Sequence, residues 1–301
     1  MRLSFTGLGT ALITPFAKNG AVDETAVTRL AVRQAEAGVH FLVPCGTTGE
    51  APTMSADEKV RVVELVANAV EGRAMVLAGA GGYDTREIIH AIPAFERAGA
   101  HGILSVTPYY NKPTQDGLIR HYRAIADSTR LPIIVYNVPG RTGCNVEPAT
   151  LARLAEIPNI VGVKEASGNI SQMVEICRLV PPEFIVLSGD DAITLPLMAI
   201  GGKGVISVAS NEVPSEMVQM VEAAERGDFA SARRWHHALA ALMQVNFVES
   251  NPIPVKFAMA AMGLCENGFR LPMAPPSDAA ARKILGVLKE FGLPVVADAV
   301  A

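Results

Sequence analysis

Residues 160–169 read IVGVKEASGN, and they begin as an apolar strand that carries one lysine, Lys164. Strands of a parallel sheet that is covered on both faces are near-continuous apolar runs. A lysine in such a strand is unfavourable because burial disfavours the charged ammonium group. The stretch therefore predicts a covered parallel sheet, and it makes Lys164 a candidate for chemistry.

Seven more short apolar runs lie at even spacing on either side of this strand. They cover residues 8–15, 41–45, 75–80, 103–107, 133–138, 184–188 and 204–208. Helical patterns separate the runs, and one of them opens with a capping box, Ser55-x-x-Glu58. Eight strands, each followed by a helix, predict a (β/α)8 TIM barrel of the α/β class. A doubly wound sheet shares this alternation and is the main alternative.

After about residue 225 the pattern becomes purely helical, with expected helices at 228–247, 254–262 and 277–291. We therefore expect a barrel catalytic domain over residues 1–225 and a C-terminal helical extension over residues 226–301. The stretch 251–254, NPIP, is expected to be a stiff connector because it contains two prolines.

Composition is that of a soluble, globular, enzyme-like protein and not of a disordered or fibrous one. Of the 301 residues, 50% are hydrophobic and 19% are charged, and the formal net charge is −4, so no basic surface for nucleic acid is indicated. The four cysteines are scattered without a Cys-x-x-Cys motif, which predicts free thiols in a reducing compartment and no metal site. Residues 1–16 lack the pattern of a signal peptide, and no apolar run is long enough to span a membrane. We expect a cytoplasmic protein.

Active sites of such barrels form where the strands end at their carboxyl side. If Lys164 points into the barrel, side-chain alternation places Gly162 and Ala166 inside as well, and Val161 and Glu165 outside. The small inward neighbours are expected to leave room for a ligand beside the amine.

A neutral lysine amine condenses with ketones, and the resulting iminium group lets the adjacent carbon be deprotonated to an enamine that attacks an aldehyde. This chemistry requires no metal and no organic cofactor, but it requires a proton shuttle. Tyr136, on the neighbouring strand, is the natural candidate, with Thr47 and Tyr110 in support. Taken singly, each residue has a structural interpretation: Lys164 as an ion-pair member and Tyr136 as a core aromatic.

Taken together, the motifs resemble the dihydrodipicolinate synthase / N-acetylneuraminate lyase family of class I aldolases. The resemblance spans nearly the whole chain, and its motifs are GTALITPF, GTTGE, TPYYNKP, YNVPGRTG, GVKEASGN, SGDD, GGKGVISV, NPIPVK and LPM. The arginine within YNVPGRTG, Arg141, points to the branch of the family that condenses pyruvate with L-aspartate-4-semialdehyde. That reaction is the first committed step toward diaminopimelate and lysine.

The resemblance implies a role for each site residue. Lys164 forms the Schiff base with pyruvate, Tyr136 donates and accepts the proton, and Thr47 and Tyr110 complete the proton relay. Substrate binding is assigned to Thr48, Arg141, Gly189 and the main chain at Ile206, with Arg141 holding the carboxylate of the semialdehyde. No cofactor and no metal are implied.

The resemblance also implies a homo-oligomer, usually a tetramer built as a dimer of dimers, in which Tyr110 reaches across an interface. Lysine-inhibited members bind lysine at that interface. Here Ala51 and Ala56 replace hydrogen-bonding positions, Lys59 adds a positive charge, and Tyr83 stands where an asparagine is common. We expect lysine feedback to be weak or absent.

Two other functions remain open at this point. Another pyruvate-dependent class I aldolase, acting on a 2-keto-3-deoxy sugar acid, would share Lys164 and Tyr136 and differ in what Arg141 recognises. A non-catalytic barrel that binds a small molecule would leave Lys164 unmodified by pyruvate.

Overall fold

The computed structural model of the chain describes residues 4–296, in which eight parallel strands close into a barrel in sequence order. The strands are β1 (Gly7–Ala11), β2 (Phe41–Val43), β3 (Met75–Gly79), β4 (Gly102–Val106), β5 (Ile133–Asn137), β6 (Ile160–Glu165), β7 (Ile185–Ser188) and β8 (Gly204–Ser207). The predicted TIM barrel is confirmed, and the doubly wound alternative is wrong.

The first strand is shorter than predicted, because it ends at Ala11 and not at Pro15. The apolar run continues beyond it as a buried loop. In that loop the N–H of Ile13 donates to Oδ1 of Asn211 (3.2 Å), so a side chain takes the place of a neighbouring strand. A buried loop and a buried strand give the same hydrophobic pattern, which is why the sequence did not separate them.

Helices cover the outside of the barrel. They are α1 (Glu24–Glu36), α2 (Ala56–Val70), α3 (Thr85–Arg97), α4 (Gln115–Asp127), α5 (Pro139–Thr142), α6 (Pro148–Leu154), α7 (Ile170–Leu179), α8 (Thr194–Ala199) and α9 (Pro214–Glu225). The predicted capping box opens α2: the N–H of Glu58 donates to Oγ of Ser55, and Oε2 of Glu58 accepts from the N–H of Ser55.

The core has two parts. One apolar cluster lies between the strands and the helices, and a second fills the barrel interior, where it includes Phe5, Phe41, Tyr136 and Leu187. The prediction that Val161 faces the helices is wrong, because Val161 packs against the interior cluster. A register shift between β5 and β6 pairs Ile133 with Ile160 but Ile134 with Gly162, so the regular alternation is interrupted at Val161.

The C-terminal extension contains α10 (Phe229–Val245), α11 (Ile253–Ala261) and α12 (Asp278–Glu290), as the sequence predicts. Helix α10 packs on α9 of the barrel, and the extension shares the outer apolar cluster with the barrel helices. The expected boundary coincides with the end of α9. The division into a domain over 1–225 and an extension over 226–301 stays a prediction, and its ends, residues 1–3 and 297–301, lie outside the described residues.

Within residues 4–296, no helix has the length and apolar character required to cross a membrane.

Candidate active site

Lys164 lies near the carboxyl end of β6 and is 6% exposed. In the ladder it pairs with Tyr136 on β5 and with Leu187 on β7, both of which belong to the interior cluster. Its Nζ lies 4.3 Å from the centroid of the Tyr136 ring. No acidic side chain among residues 4–296 forms an ion pair with it. The amine is therefore buried beside a tyrosine and has no fixed counterion.

Glu165, the next residue, is fully buried. Its carboxylate accepts hydrogen bonds from Nδ2 of Asn137 (2.8 Å) and from the N–H of Ser167 (2.9 Å). The carboxylate is therefore satisfied on the outer face of the sheet, as side-chain alternation predicts.

Gly189, directly after β7, leaves room for the lysine stem. A Cβ at this position would lie 3.1 Å from Cε of Lys164 and 2.6 Å from Cβ of Ala166, so a larger residue would displace the amine. Gly162 does not contribute open space, and that expectation is wrong. A Cβ there would lie 2.4 Å from the carbonyl oxygen of Ile185, because β7 approaches closely at this point.

The turn over residues 46–50, GTTGE, follows the loop after β2. The N–H of Gly49 donates to the carbonyl of Gly46, and Oγ1 of Thr14 donates to the carbonyl of Gly49 (2.7 Å). Thr48 is 2% exposed, whereas Thr47 is half-buried. The turn is therefore held by hydrogen bonds on both sides of the two threonines.

The turn ends at Glu50, whose backbone is left-handed with φ of 52°. The Glu50 carboxylate pairs with Lys256 of α11, and both side chains are almost completely buried. Burial lowers the pKa of Lys256, and the charge and hydrogen bond of Glu50 oppose that shift. A residue of the extension thus fixes the end of the threonine turn.

Ile206 lies on β8, where it pairs with Gly9 and contributes to the interior cluster. The residue is 1% exposed. The expected role of its main chain in binding stays a prediction.

Arg141 and Tyr110 line an open cleft of about 600 Å³ at the rim of the barrel, together with Tyr109, Lys112 and the rest of α5. Two cationic side chains in one cleft suit substrates that carry carboxylates. Tyr110 has a left-handed backbone, with φ of 70°, and is 91% exposed. Within the single chain, its ring is therefore not packed against Tyr136 or Thr47, and the expected three-residue relay stays a prediction.

Sequence reasoning missed Asn251, which it treated as part of a connector. Nδ2 of Asn251 donates to Oγ1 of Thr48 (3.0 Å), and the carbonyl oxygen of Asn251 accepts from Nη2 of Arg141 (3.1 Å). The signal was present in the motif NPIPVK, which holds both Asn251 and Lys256. Within the described part of the chain, no three His, Cys, Asp or Glu side chains are grouped as a metal site requires.

The chain is similar over nearly its whole length to known proteins. The model of the "Dihydrodipicolinate synthetase family" matches residues 4–291. A 4-hydroxy-tetrahydrodipicolinate synthase of Koribacter versatilis is 48% identical over 292 residues, covering 97% of each chain. The crystal structure of dihydrodipicolinate synthase from Aquifex aeolicus superposes with a TM-score of 0.95 at 44% identity, covering 97% of this chain and 99% of the other. The chloride-inhibited enzyme of Acinetobacter baumannii, complexed with pyruvate, has a TM-score of 0.95 at 40% identity and covers 96% of this chain and 100% of its own.

Proposed function

The chain belongs to the dihydrodipicolinate synthetase family, and we infer that it catalyses the condensation of pyruvate with L-aspartate-4-semialdehyde. The product is 4-hydroxy-tetrahydrodipicolinate, formed in the first committed step of lysine and diaminopimelate biosynthesis. The enzyme is a lyase of the class I aldolase type. The sugar-acid aldolase alternative is not supported, because relatives that match almost the full chain carry the synthase name.

We propose that the Nζ of Lys164 is the nucleophile. It adds to the carbonyl carbon of pyruvate, water leaves, and the iminium ion then loses a methyl proton to become an enamine. The enamine carbon bonds to the aldehyde carbon of the second substrate, whose oxygen takes up a proton. The amino group of that substrate then replaces Nζ of Lys164 on the iminium carbon, which closes the ring and releases the free lysine amine. The observation that carries this proposal is a buried lysine at a strand's carboxyl end, with a tyrosine ring 4.3 Å away and no ion-pair partner among residues 4–296.

Tyr136 is proposed to move the protons, since it is the ladder partner of Lys164 and lies against its amine. Thr47, on the adjacent turn, and Tyr110 are proposed to connect Tyr136 with solvent. The exposure of Tyr110 supports a position at a subunit interface, where the ring of one protomer enters the site of the other.

For binding, we propose that Thr48 and the main chain at Ile206 hold pyruvate, and that Gly189 leaves the space it occupies. Arg141 binds the carboxylate of the semialdehyde, because its forked guanidinium matches a carboxylate. The cleft that it lines with Tyr110 supports this assignment.

A homotetramer, built as a dimer of dimers, is proposed as the assembly. Exposed Tyr83 and Tyr110 on one side of the barrel, and exposed Ile170 and Val174 on α7, offer two separate apolar surfaces. Sedimentation velocity at micromolar concentration tests this, and a monomer would contradict it. Four free cysteines support a reducing, cytoplasmic location.

Weak or absent feedback by lysine is proposed from the replacements at Ala51, Ala56, Lys59 and Tyr83. The cationic Lys59 disfavours a cationic effector nearby. A steady-state assay with added lysine checks this, and half-maximal inhibition at sub-millimolar lysine would contradict it.

Incubation with pyruvate and borohydride, followed by peptide mass mapping, tests the central assignment. Reduction converts the iminium into a stable secondary amine, so we expect modification of Lys164 and of no other lysine. An unmodified Lys164 would favour the non-catalytic binding barrel. A coupled assay that compares kcat/KM for the semialdehyde with that for sugar aldehydes then distinguishes the synthase from other aldolases.

A further inference from the structure

Asn251 of the C-terminal extension contacts two of the four predicted substrate-binding residues, Thr48 and Arg141, at once. It lies two residues before the start of α11 and is 4% exposed. Its side-chain Nδ2 donates to Oγ1 of Thr48 at 3.0 Å, and its main-chain oxygen accepts from Nη2 of Arg141 at 3.1 Å. One residue therefore joins the threonine turn to the arginine loop through two different groups.

The side-chain contact decides what the Thr48 hydroxyl can do. A hydroxyl group has one proton to donate and two lone pairs that accept. Because the amide of Asn251 donates to one lone pair, the proton of Thr48 is left to be donated elsewhere. A carboxylate of pyruvate in the barrel mouth is the acceptor that the proposed function supplies.

The main-chain contact acts on Arg141 in a comparable way. A guanidinium group has five N–H donors in a rigid fork. One of them is used on the carbonyl of Asn251, which restrains the position of the fork and leaves other donors free for a carboxylate. This contact does not depend on the identity of the side chain at position 251.

We propose that Asn251 is a positioning residue that orients the Thr48 hydroxyl toward pyruvate through its amide and the Arg141 fork toward the semialdehyde through its carbonyl. The proposal rests on the roles given to Thr48 and Arg141 under the proposed function. It makes the C-terminal extension a working part of the site, since Lys256 of the same extension also pairs with Glu50 at the end of the threonine turn.

Substitutions at Asn251 separate the two contacts. Asn251→Ala removes the amide and keeps the carbonyl, so we expect the KM for pyruvate to rise about three- to tenfold, the range of a lost neutral hydrogen bond. The KM for the semialdehyde should stay within about twofold of the wild-type value, because the carbonyl of residue 251 still accepts the hydrogen bond from Arg141 in this variant. Asn251→Asp keeps the shape of the side chain but replaces the donor with an acceptor. The carboxylate should then accept the hydrogen bond that Thr48 would otherwise donate to pyruvate, so the KM for pyruvate should rise more than in Asn251→Ala.

Asn246→Ala is the matched control. Asn246 is also a buried asparagine of the extension, but its Nδ2 donates to Oε2 of Glu212 (2.6 Å), away from the threonine turn. We expect this variant to lower Tm while both KM values stay those of the wild type. The double variant Thr48→Val/Asn251→Ala should have the same KM for pyruvate as Thr48→Val alone, because the two changes remove the same hydrogen bond.

The outcomes distinguish this inference from the proposed function. The positioning role is overturned if the KM for pyruvate is unchanged in both Asn251 variants. It is also overturned if Asn251→Ala raises the KM of both substrates equally and lowers Tm as much as Asn246→Ala does. In either case the wild type still forms a pyruvate adduct at Lys164. Absence of that adduct in the wild type overturns the proposed function itself.

Discussion

Two buried lysines in this molecule have opposite surroundings. Lys256 is fully buried, is paired with Glu50, and has its Nζ 4.3 Å from the ring centroid of Phe16. Lys164 is 6% exposed, has its Nζ 4.3 Å from the ring centroid of Tyr136, and forms no ion pair with any acidic residue in the described part of the chain. Burial alone therefore does not identify a reactive lysine. A lysine paired with a buried carboxylate is occupied by that ion pair, whereas a lysine without such a partner in the barrel mouth is available to a carbonyl substrate.

Exchanging each lysine for methionine tests this comparison with the largest expected effects. Lys164→Met should abolish the pyruvate adduct and leave Tm unchanged or higher, because it removes a buried group that has no partner. Lys256→Met should leave Glu50 buried and unpaired, at a cost of about 3–5 kcal/mol of unfolding free energy. Borohydride trapping and thermal unfolding measure the two effects.

The double variant Glu50→Gln/Lys256→Met serves as the control, since it removes both charges and should recover much of the lost stability. A Lys256→Met enzyme as stable as the wild type, or a labelled Lys256 in the wild type, would contradict the distinction between the two lysines.

A comparison of two buried tyrosines gives the next effect. Tyr136→Phe should lower kcat by about 10²–10⁴-fold, the usual contribution of a general acid–base group. Tyr122 is a matched control: it is fully buried, and its hydroxyl donates to the carbonyl of Ser105 (3.0 Å), outside the barrel mouth. Tyr122→Phe should therefore reduce stability only. Equal kcat values for Tyr136→Phe and the wild type would remove Tyr136 from the mechanism.

The rim of the site is expected to contribute less than its centre. Arg141→Ala should raise the KM for the semialdehyde about 10- to 100-fold, the scale of a lost charge-assisted hydrogen bond, while pyruvate trapping at Lys164 is retained. Arg153→Ala is the control, because Arg153 is exposed and paired with Asp116. It should change neither the KM for the semialdehyde nor the trapping of pyruvate at Lys164. Unaltered semialdehyde kinetics in Arg141→Ala would contradict the carboxylate assignment and leave the aldolase class intact.

The same contrast explains what the sequence could and could not predict. Lys164 and Tyr136 were found together because each lies on a local apolar run, and consecutive strands of a barrel are neighbours. Gly189 was assigned to the site only through the family resemblance. The contacts of Asn251 with Thr48 and of Lys256 with Glu50 join residues 203 and 206 positions apart, and no local pattern records such a pairing. The register shift at Val161 was missed for a related reason, since it arises in the pairing of two strands and not in one of them.

A buried carboxylate under the extension supplies the smallest effect, and it acts on stability and not on catalysis. Burial raises the pKa of Glu212 to about 8, with the charge of Asp191 adding to the rise and the hydrogen bond from Asn246 opposing it. The folded chain therefore keeps a proton that the unfolded chain releases near its ordinary pKa of 4.5. The stabilisation is complete below that value and is lost as pH rises through about 8.

Glu212→Gln removes this titration, so its Tm should equal that of the wild type at low pH and exceed it by a few degrees in alkaline buffer. Thermal unfolding of both proteins across this range measures the difference. Parallel Tm curves would show that Glu212 does not titrate, and a change in kcat would show that this buried acid of the barrel affects the active site.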